Sequence, residues 1–226
     1  MAVNIDTVYQ RVLAIANKEQ RGYITPQEFN LFANQAQMDI FEQYFYDLNQ
    51  FLRIPGNDGT YSNMIDILQE KINIFQLVVD PTSSNNVITL PANMYRLGGI
   101  QTNGIQIERL ERKDYEKAID LPLTKPTNAR PICFVQGNLA TVAPVDLTAF
   151  DVTYVRRPAA VAWGYIVVNE KALYNPSSSN NFQLHPSEET DLVVKILALA
   201  GVLMEDQVLM QSAAQEDAKN TKQEKQ

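Results

Sequence analysis

The sequence of 226 residues holds one cysteine, one histidine and one tryptophan. A single cysteine, Cys133, excludes an internal disulfide and cannot by itself build a thiolate metal site. With only His185 present, the side chain most used for general acid–base and zinc chemistry is almost missing. No apolar run reaches the roughly 18 to 20 residues that a membrane span requires. The opening MAVNIDTVYQRV has neither a basic n-region nor a continuous apolar stretch, which predicts a cytoplasmic origin and no membrane contact. Dense basic stretches are lacking too: 19 Lys and Arg stand against 26 Asp and Glu, a net charge of −7. Phosphate binding along nucleic acid is therefore not the expected task. The glycines of Leu97-Gly98-Gly99 and Thr102-Asn103-Gly104 have neither GxGxxG nor Walker spacing, so they mark turns and indicate no nucleotide site.

What is present is enough apolar material, 45% of the residues, for one sizeable core or two small ones. Ile5, Val8, Tyr9, Val12, Leu13 and Ala16 recur at helical spacing and predict a short amphipathic helix over 5–17. Thr25-Pro26-Gln27-Glu28 supplies an N-cap, a first-turn proline and a capping-box acid for a long helix running to about Gln50. Its stripe is Phe29, Ala33, Ala36, Ile40, Tyr44 and Leu48. Phe32, Phe41, Phe45 and Tyr46 fall outside that stripe, which calls for a second contact, either with another subunit or with another helix of the same chain. A third helix is expected from Ser62 to about Phe75.

From Val87 to Val168 the texture changes to short β-rich runs separated by Pro, Gly, Asn and Asp, with Gln136-Gly137-Asn138 as a tight hairpin. One helical turn is expected within 113–119, and 121–131 is a proline-rich loop. After the polar loop 175–181, Pro186-Ser187-Glu188-Glu189 opens a helix that is apolar all round from Leu192 to Met204, apart from Lys195. The expected fold is thus α+β: N- and C-terminal helices packed as a bundle, with an inserted, small, mostly antiparallel β-domain. The expected divisions are 1–86, 87–168, 169–214 and a polar tail, 215–226, that becomes ordered on a partner.

Three local chemistries can be tested against these residues. Gly22, Ile24 and Glu28 match EF-hand positions 6, 8 and 12, but Arg21 stands where an oxygen ligand is needed and Asn17 replaces the first Asp. A Gly turn followed by a capping box accounts for the same residues. Cys133 and His185 form a conceivable nucleophile pair, yet Cys133 lies in the apolar run PICFV and His185 precedes a helix entrance. Acid pairs Glu188-Glu189 and Glu205-Asp206 sit at helix ends, where solvation and the helix dipole explain them. No catalytic, cofactor or metal residue is assigned. Arg156 and Arg157 are expected to end a strand at the sheet edge, where they suit an interface rim.

Several segments taken together resemble the head-to-tail connector proteins of tailed bacteriophages, the adaptor or ring proteins beneath the portal, including those of short-tailed crAss-like phages. The segments are Gly22-Tyr-Ile-Thr-Pro-Gln-Glu-Phe29-Asn30 with Ala33-Asn34-Gln35-Ala36-Gln37, Leu90-Pro91-Ala-Asn-Met-Tyr95-Arg96, Thr153-Tyr-Val-Arg-Arg-Pro158, and Phe182-Gln-Leu-His-Pro-Ser-Glu-Glu189. The resemblance implies a non-enzymatic virion protein, assembled in the host cytoplasm and located at the head–tail interface. It also implies a homo-oligomeric ring, often a dodecamer in such families, bound to the portal and to adjacent tail or ring proteins. DNA would pass through its channel without specific binding, and acidic walls would suit that passage. The expected interface residues are Tyr44, Phe45, Tyr46, Arg156 and Arg157, with Gln215, Lys219 and Lys222 from the tail. The alternatives are another tail or muzzle component, a small hydrolase using Cys133 and His185 or a carboxylate pair, and a calcium-binding module.

Overall fold

The computed structural model describes residues 3–18, 24–53 and 59–203, together with Gln215. The chain opens with helices α1 (Ile5–Lys18), α2 (Pro26–Arg53) and α3 (Gly59–Asn73). Strands β1 (Gln76–Val79), β2 (Ser83–Ser84), β3 (Val87–Thr89), β4 (Met94–Thr102), β5 (Ile105–Gln106) and β6 (Glu108–Arg109) lead to helix α4 (Arg112–Asp120). Then come β7 (Ile132–Gln136), β8 (Leu139–Ala143), β9 (Asp151–Arg156), β10 (Tyr165–Val168), β11 (Lys171–Tyr174) and α5 (Glu189–Leu203). The chain divides into two compact units, one made of residues 1–74 and 158–226, the other of Phe75–Arg157.

In the first unit, helix starts follow local chemistry. Asn4 Oδ1 accepts from the Asp6 backbone N–H at 2.8 Å and opens α1. At α2 the capping box is reciprocal: the Thr25 N–H donates to Glu28 at 2.9 Å, and the Glu28 N–H donates to Thr25 Oγ1 at 3.3 Å. The Thr25 hydroxyl also donates to the Glu28 carboxylate at 2.7 Å, and this bond first, then the one from the Thr25 N–H, holds the Glu28 carboxyl below its ordinary range. Phe29, Ala33, Ala36, Ile40 and Tyr44 are all buried along one face of α2, and so is Phe41 outside that stripe. Helix α5 packs on α1 and α2, Tyr9 of α1 meets Phe29 of α2 edge-on at 4.7 Å, and α3 packs on α2, so the buried Phe41 finds its contacts inside the same chain.

Leu192, Val193, Val194, Ile196, Leu197 and Ala200 of α5 are buried, in keeping with a helix that is apolar all round. Its entrance is pinned by Glu188, whose carboxylate lies 2.6 Å from Lys71 Nζ of α3, both side chains being nearly dry. A buried pair of this kind fixes geometry more than it adds stability.

The second unit contains a four-stranded sheet of order β1-β9-β4-β5 and a five-stranded sheet of order β2-β3-β8-β7-β6. Every pairing is antiparallel except β6 with β7. Inward residues of both sheets, among them Ile100, Val152 and Tyr154 from one and Ile88, Ala140 and Val142 from the other, share one core. Helix α4 covers β7, with Tyr115 edge-on to Phe134 at 4.8 Å. Asn103 and Gly104 both have positive φ, as a two-residue type I′ hairpin demands. Gly98 is an extra residue in β4 opposite β9, and a Cβ there would come within 3.0 Å of the Thr153 carbonyl oxygen.

The fold is therefore α+β, with helices from both ends of the chain packed together and a β-rich unit inserted between them in sequence. Its limits differ from those drawn on sequence texture. The β-rich unit begins at Phe75, because Gln76–Val79 follows α3 almost at once and pairs with β9. It ends at Arg157: the hairpin of β10 and β11 is a separate two-stranded sheet that belongs with the helices. Among the described residues, no helix is long and apolar enough to cross a membrane.

Candidate assembly surfaces

Trp163 is where the hairpin joins the helices. Its ring lies 4.3 Å from Tyr9 of α1, its Nε1–H donates to Asp6 at 2.9 Å, and it stacks on Tyr165 and meets Tyr174 at a tilt, at 5.8 Å each. Ahead of it, the extended segment 159–163 is held by carboxamides that recur along one face of α2. The Asn34 side chain donates to the Val161 carbonyl and accepts from its N–H, both at 2.9 Å. Asn30 does the same for Trp163, at 3.3 and 2.7 Å. One turn on, Gln37 donates to the Ala159 carbonyl at 2.9 Å and accepts from the Gln183 N–H at 3.0 Å, while Gln183 accepts from the Ala159 N–H at 3.1 Å. The helix thus offers a strand the pairing that a sheet edge would normally give, and every buried backbone group it touches is satisfied.

From this anchor β10 and β11 form an isolated hairpin through a turn with positive φ at both Asn169 and Glu170. Two-stranded hairpins are marginal alone, so the stacked aromatic base matters to it. Cross-strand pairs Ile166 with Leu173 and Val168 with Lys171 share one face, and Tyr165 with Tyr174 and Val167 with Ala172 share the other. Ile166, Val167, Val168 and Leu173 are between 44% and 67% exposed. A preformed arm with four exposed aliphatic side chains is the kind of surface that marks a protein contact.

The expected interface residues scatter. Tyr44 is 4% exposed, with Lys71 Nζ 5.5 Å from its ring centre, so its ring is core and not contact surface. Phe45 is half-buried and edge-on to Phe41 at 5.1 Å. Tyr46, at 67%, is exposed as an interface anchor must be. Arg156 and Arg157 do not end an edge strand: β9 is flanked by β1 and β4, which corrects that expectation. Arg156 is half-buried with its Nε enclosed and unsatisfied among the described residues, and Arg157 is exposed. Gln215 is exposed, and Lys219 and Lys222 lie outside the described residues. The hairpin had only half a signal in the sequence: Gly164-Tyr-Ile-Val-Val168 looked like a strand, whereas Lys171-Ala-Leu-Tyr174 carries no β-branched residue.

The chemical alternatives meet firm geometry. Burial pushes the Cys133 thiol up to about 11, an effect only partly offset by Arg109, so it is protonated at neutral pH and lacks the thiolate that nucleophilic attack requires. His185 Nδ1 lies 2.8 Å from Ser187 Oγ and accepts from the Ser187 N–H, which makes it the cap of the turn before α5. Glu188 pairs with Lys71, and Glu189 pairs with Arg11 at 2.9 Å; Glu205 and Asp206 lie outside the described residues. Glu28, offered above as a calcium ligand, is engaged in the capping box, and Asn17, Arg21 and Gly22 contribute no described side chain. Among the described residues no group of three or more His, Cys, Asp or Glu is placed to hold a metal.

Two further features belong to the β-rich unit. Asp80 and Asp151 follow Val79 and Val152 along the β1–β9 pairing, and the hydrogen bond between them raises the Asp151 carboxyl above its ordinary range, with burial and charge repulsion adding to the rise. A cavity of about 410 Å³ opens where the chain leaves one sheet for the other, floored by Leu97, Ile100, Ile107 and Cys133. No protein-family model and no curated protein matches the chain.

Proposed function

We propose that this chain is a structural subunit of a tailed-bacteriophage head-to-tail connector, one copy of a ring below the portal that bridges portal and tail around the DNA channel. The observation that carries this reading is the hairpin Tyr165–Tyr174: an arm with exposed aliphatic side chains on a base fixed by Trp163 and the α2 carboxamides. A closed ring needs a surface on each subunit that meets a different surface on the next. A rigid apolar arm supplies such a surface at low entropic cost, because binding does not have to order it. The segments that carry the family resemblance support the same reading. Asn30, Asn34, Gln37 and Gln183 all belong to the network that sets the arm, and Asn93 accepts hydrogen bonds from Tyr154 and from the Arg157 N–H.

The test is affinity purification of the tagged full-length chain from the cells or particles that produce it, with mass spectrometry of everything recovered. Stoichiometric recovery of a portal and tail proteins is the expected result. Recovery with distal tail components and no portal would place the chain elsewhere in the particle. Recovery alone, as a monomer absent from particles, would overturn a structural role.

A further inference from the structure

Leu123 is 97% exposed, the most open large hydrophobic side chain among the described residues, and Leu121 beside it is 54% exposed. They stand on a fixed turn: the Leu121 N–H closes α4 on the Lys117 carbonyl at 3.2 Å, and the Thr124 N–H donates to the Leu121 carbonyl at 3.2 Å. Pro122 lies between them and Pro126 follows, so the turn loses little freedom if it is covered. Asp120, immediately ahead, is exposed and has no ion pair or side-chain hydrogen bond among the described residues. The same unit holds the complementary shape. The cavity of about 410 Å³ has an apolar floor, and Gln106, Glu108 and Arg109 stand at its rim. Glu108 is paired with Arg130 at 3.3 Å, whereas Arg109 is exposed and has no such partner among the described residues. A cavity of this size and lining, with one free charge at the mouth, fits a short apolar segment beside a carboxylate.

We propose that the Leu121–Leu123 turn of one copy seats in the β-unit cavity of the next copy, with Asp120 against Arg109. This rests on the ring reading above and names one of its contacts. Leu123 is too exposed to fill the cavity of its own chain. Knob and hole are different surfaces of one subunit, so their union leaves a free knob and a free hole at the ends and propagates until a ring closes. The opposite charges set the register of two copies that otherwise each carry a net charge of −7.

The experiment mixes two full-length variants, Leu123→Cys and Gln106→Cys, under mild oxidation, each also carrying Cys133→Ala because the native thiol lines the cavity that the knob would enter. The control pair is Leu123→Cys with Val145→Cys, which is 65% exposed and away from the cavity. The expected result is a disulfide-linked dimer at least about tenfold above the control pair, a ratio that about 1.4 kcal/mol of contact energy supplies. Gly99→Val should abolish the excess: it fills the cavity from a strand position where an added Cβ meets only the Gln106 side-chain amide, at 3.9 Å, so the variant should fold with an unchanged melting temperature. Arg109→Glu should lower the excess, and Asp120→Arg on the other copy should restore it. A yield no higher than the control, or one indifferent to Gly99→Val, overturns the knob and hole. Linkage of Leu123→Cys in particles to a different protein overturns it in favour of that partner. Sedimentation of the unmodified chain separates the two levels: oligomers without this crosslink leave the ring reading standing, and a monomer at every concentration that is also absent from particles removes both.

Discussion

Cys133 and Asp151 show how a residue's surroundings decide its chemistry. The Cys133 side chain is packed among β-unit core residues, and burial keeps its proton on. An aromatic disulfide reagent at pH 8 should leave the native thiol unmodified and react within seconds once denaturant is added; fast reaction in the native state would show that the core opens there. At Asp151 the folded carboxyl has a raised pKa, so its contribution to stability is fully present below the unfolded value and is lost as pH rises through the folded one. At neutral pH the two carboxylates, facing each other across β1 and β9, repel. Asp151→Asn should therefore raise the melting temperature at pH 7 and leave it almost unchanged at pH 3, measured by thermal scans at the two pH values. The capping box at Thr25 and Glu28 was legible in four letters, since both partners lie within one turn. The aspartate pair was not, because Asp80 acquires its neighbour only through a strand pairing across 71 positions of sequence.

At the scale of elements, long amphipathic patterns and the β-rich runs from Val87 to Val168 announced themselves, whereas β1, β2 and β11 did not. α1 and α2 follow from apolar spacing, α5 from a run that is apolar all round behind Pro186-Ser187-Glu188-Glu189, and α4, expected as one turn within 113–119, extends over Arg112–Asp120. β1 has four residues directly after α3, too few for a period of two to show and with no turn residue to mark its start. The carboxamide ladder escaped for another reason: Asn and Gln on a helix read as a solvated face, and nothing local reveals that a strand lies against them. Its weight is testable. Asn34→Ala leaves both backbone groups of buried Val161 without partners and should cost about 2–3 kcal/mol in chemical denaturation. An effect under about 0.5 kcal/mol would mean that water replaces the carboxamide without loss. The arm should suffer more than the bundle in that variant, seen as faster hydrogen exchange over 165–174 than over α5.

For the whole molecule, stability and assembly should separate. Ile166→Lys with Leu173→Glu places opposite charges on one exposed cross-strand pair of the hairpin, so the melting temperature should move by no more than the shift that about 0.5 kcal/mol gives for a domain of this size. Recovery of partners in affinity purification should fall at least tenfold, as expected when more than about 1.4 kcal/mol of contact energy is lost. Unchanged recovery would show that the arm is not a contact. Charge, apolar patterning and the α+β division could be read without the fold, whereas the arm, the ladder and the cavity depend on which distant segments meet.

The β-rich unit begins and ends at one place. The Phe75 carbonyl accepts from the Arg156 N–H at 2.9 Å, so its entry and exit are adjacent strands. Neighbouring strands lie about 4.8 Å apart, a distance that a two-residue loop also spans. To the rest of the polypeptide, the 83 residues from Phe75 to Arg157 therefore act as an enlarged hairpin turn. An insert with adjacent ends can be exchanged or lengthened without changing the distance between the two points at which it joins the rest of the chain.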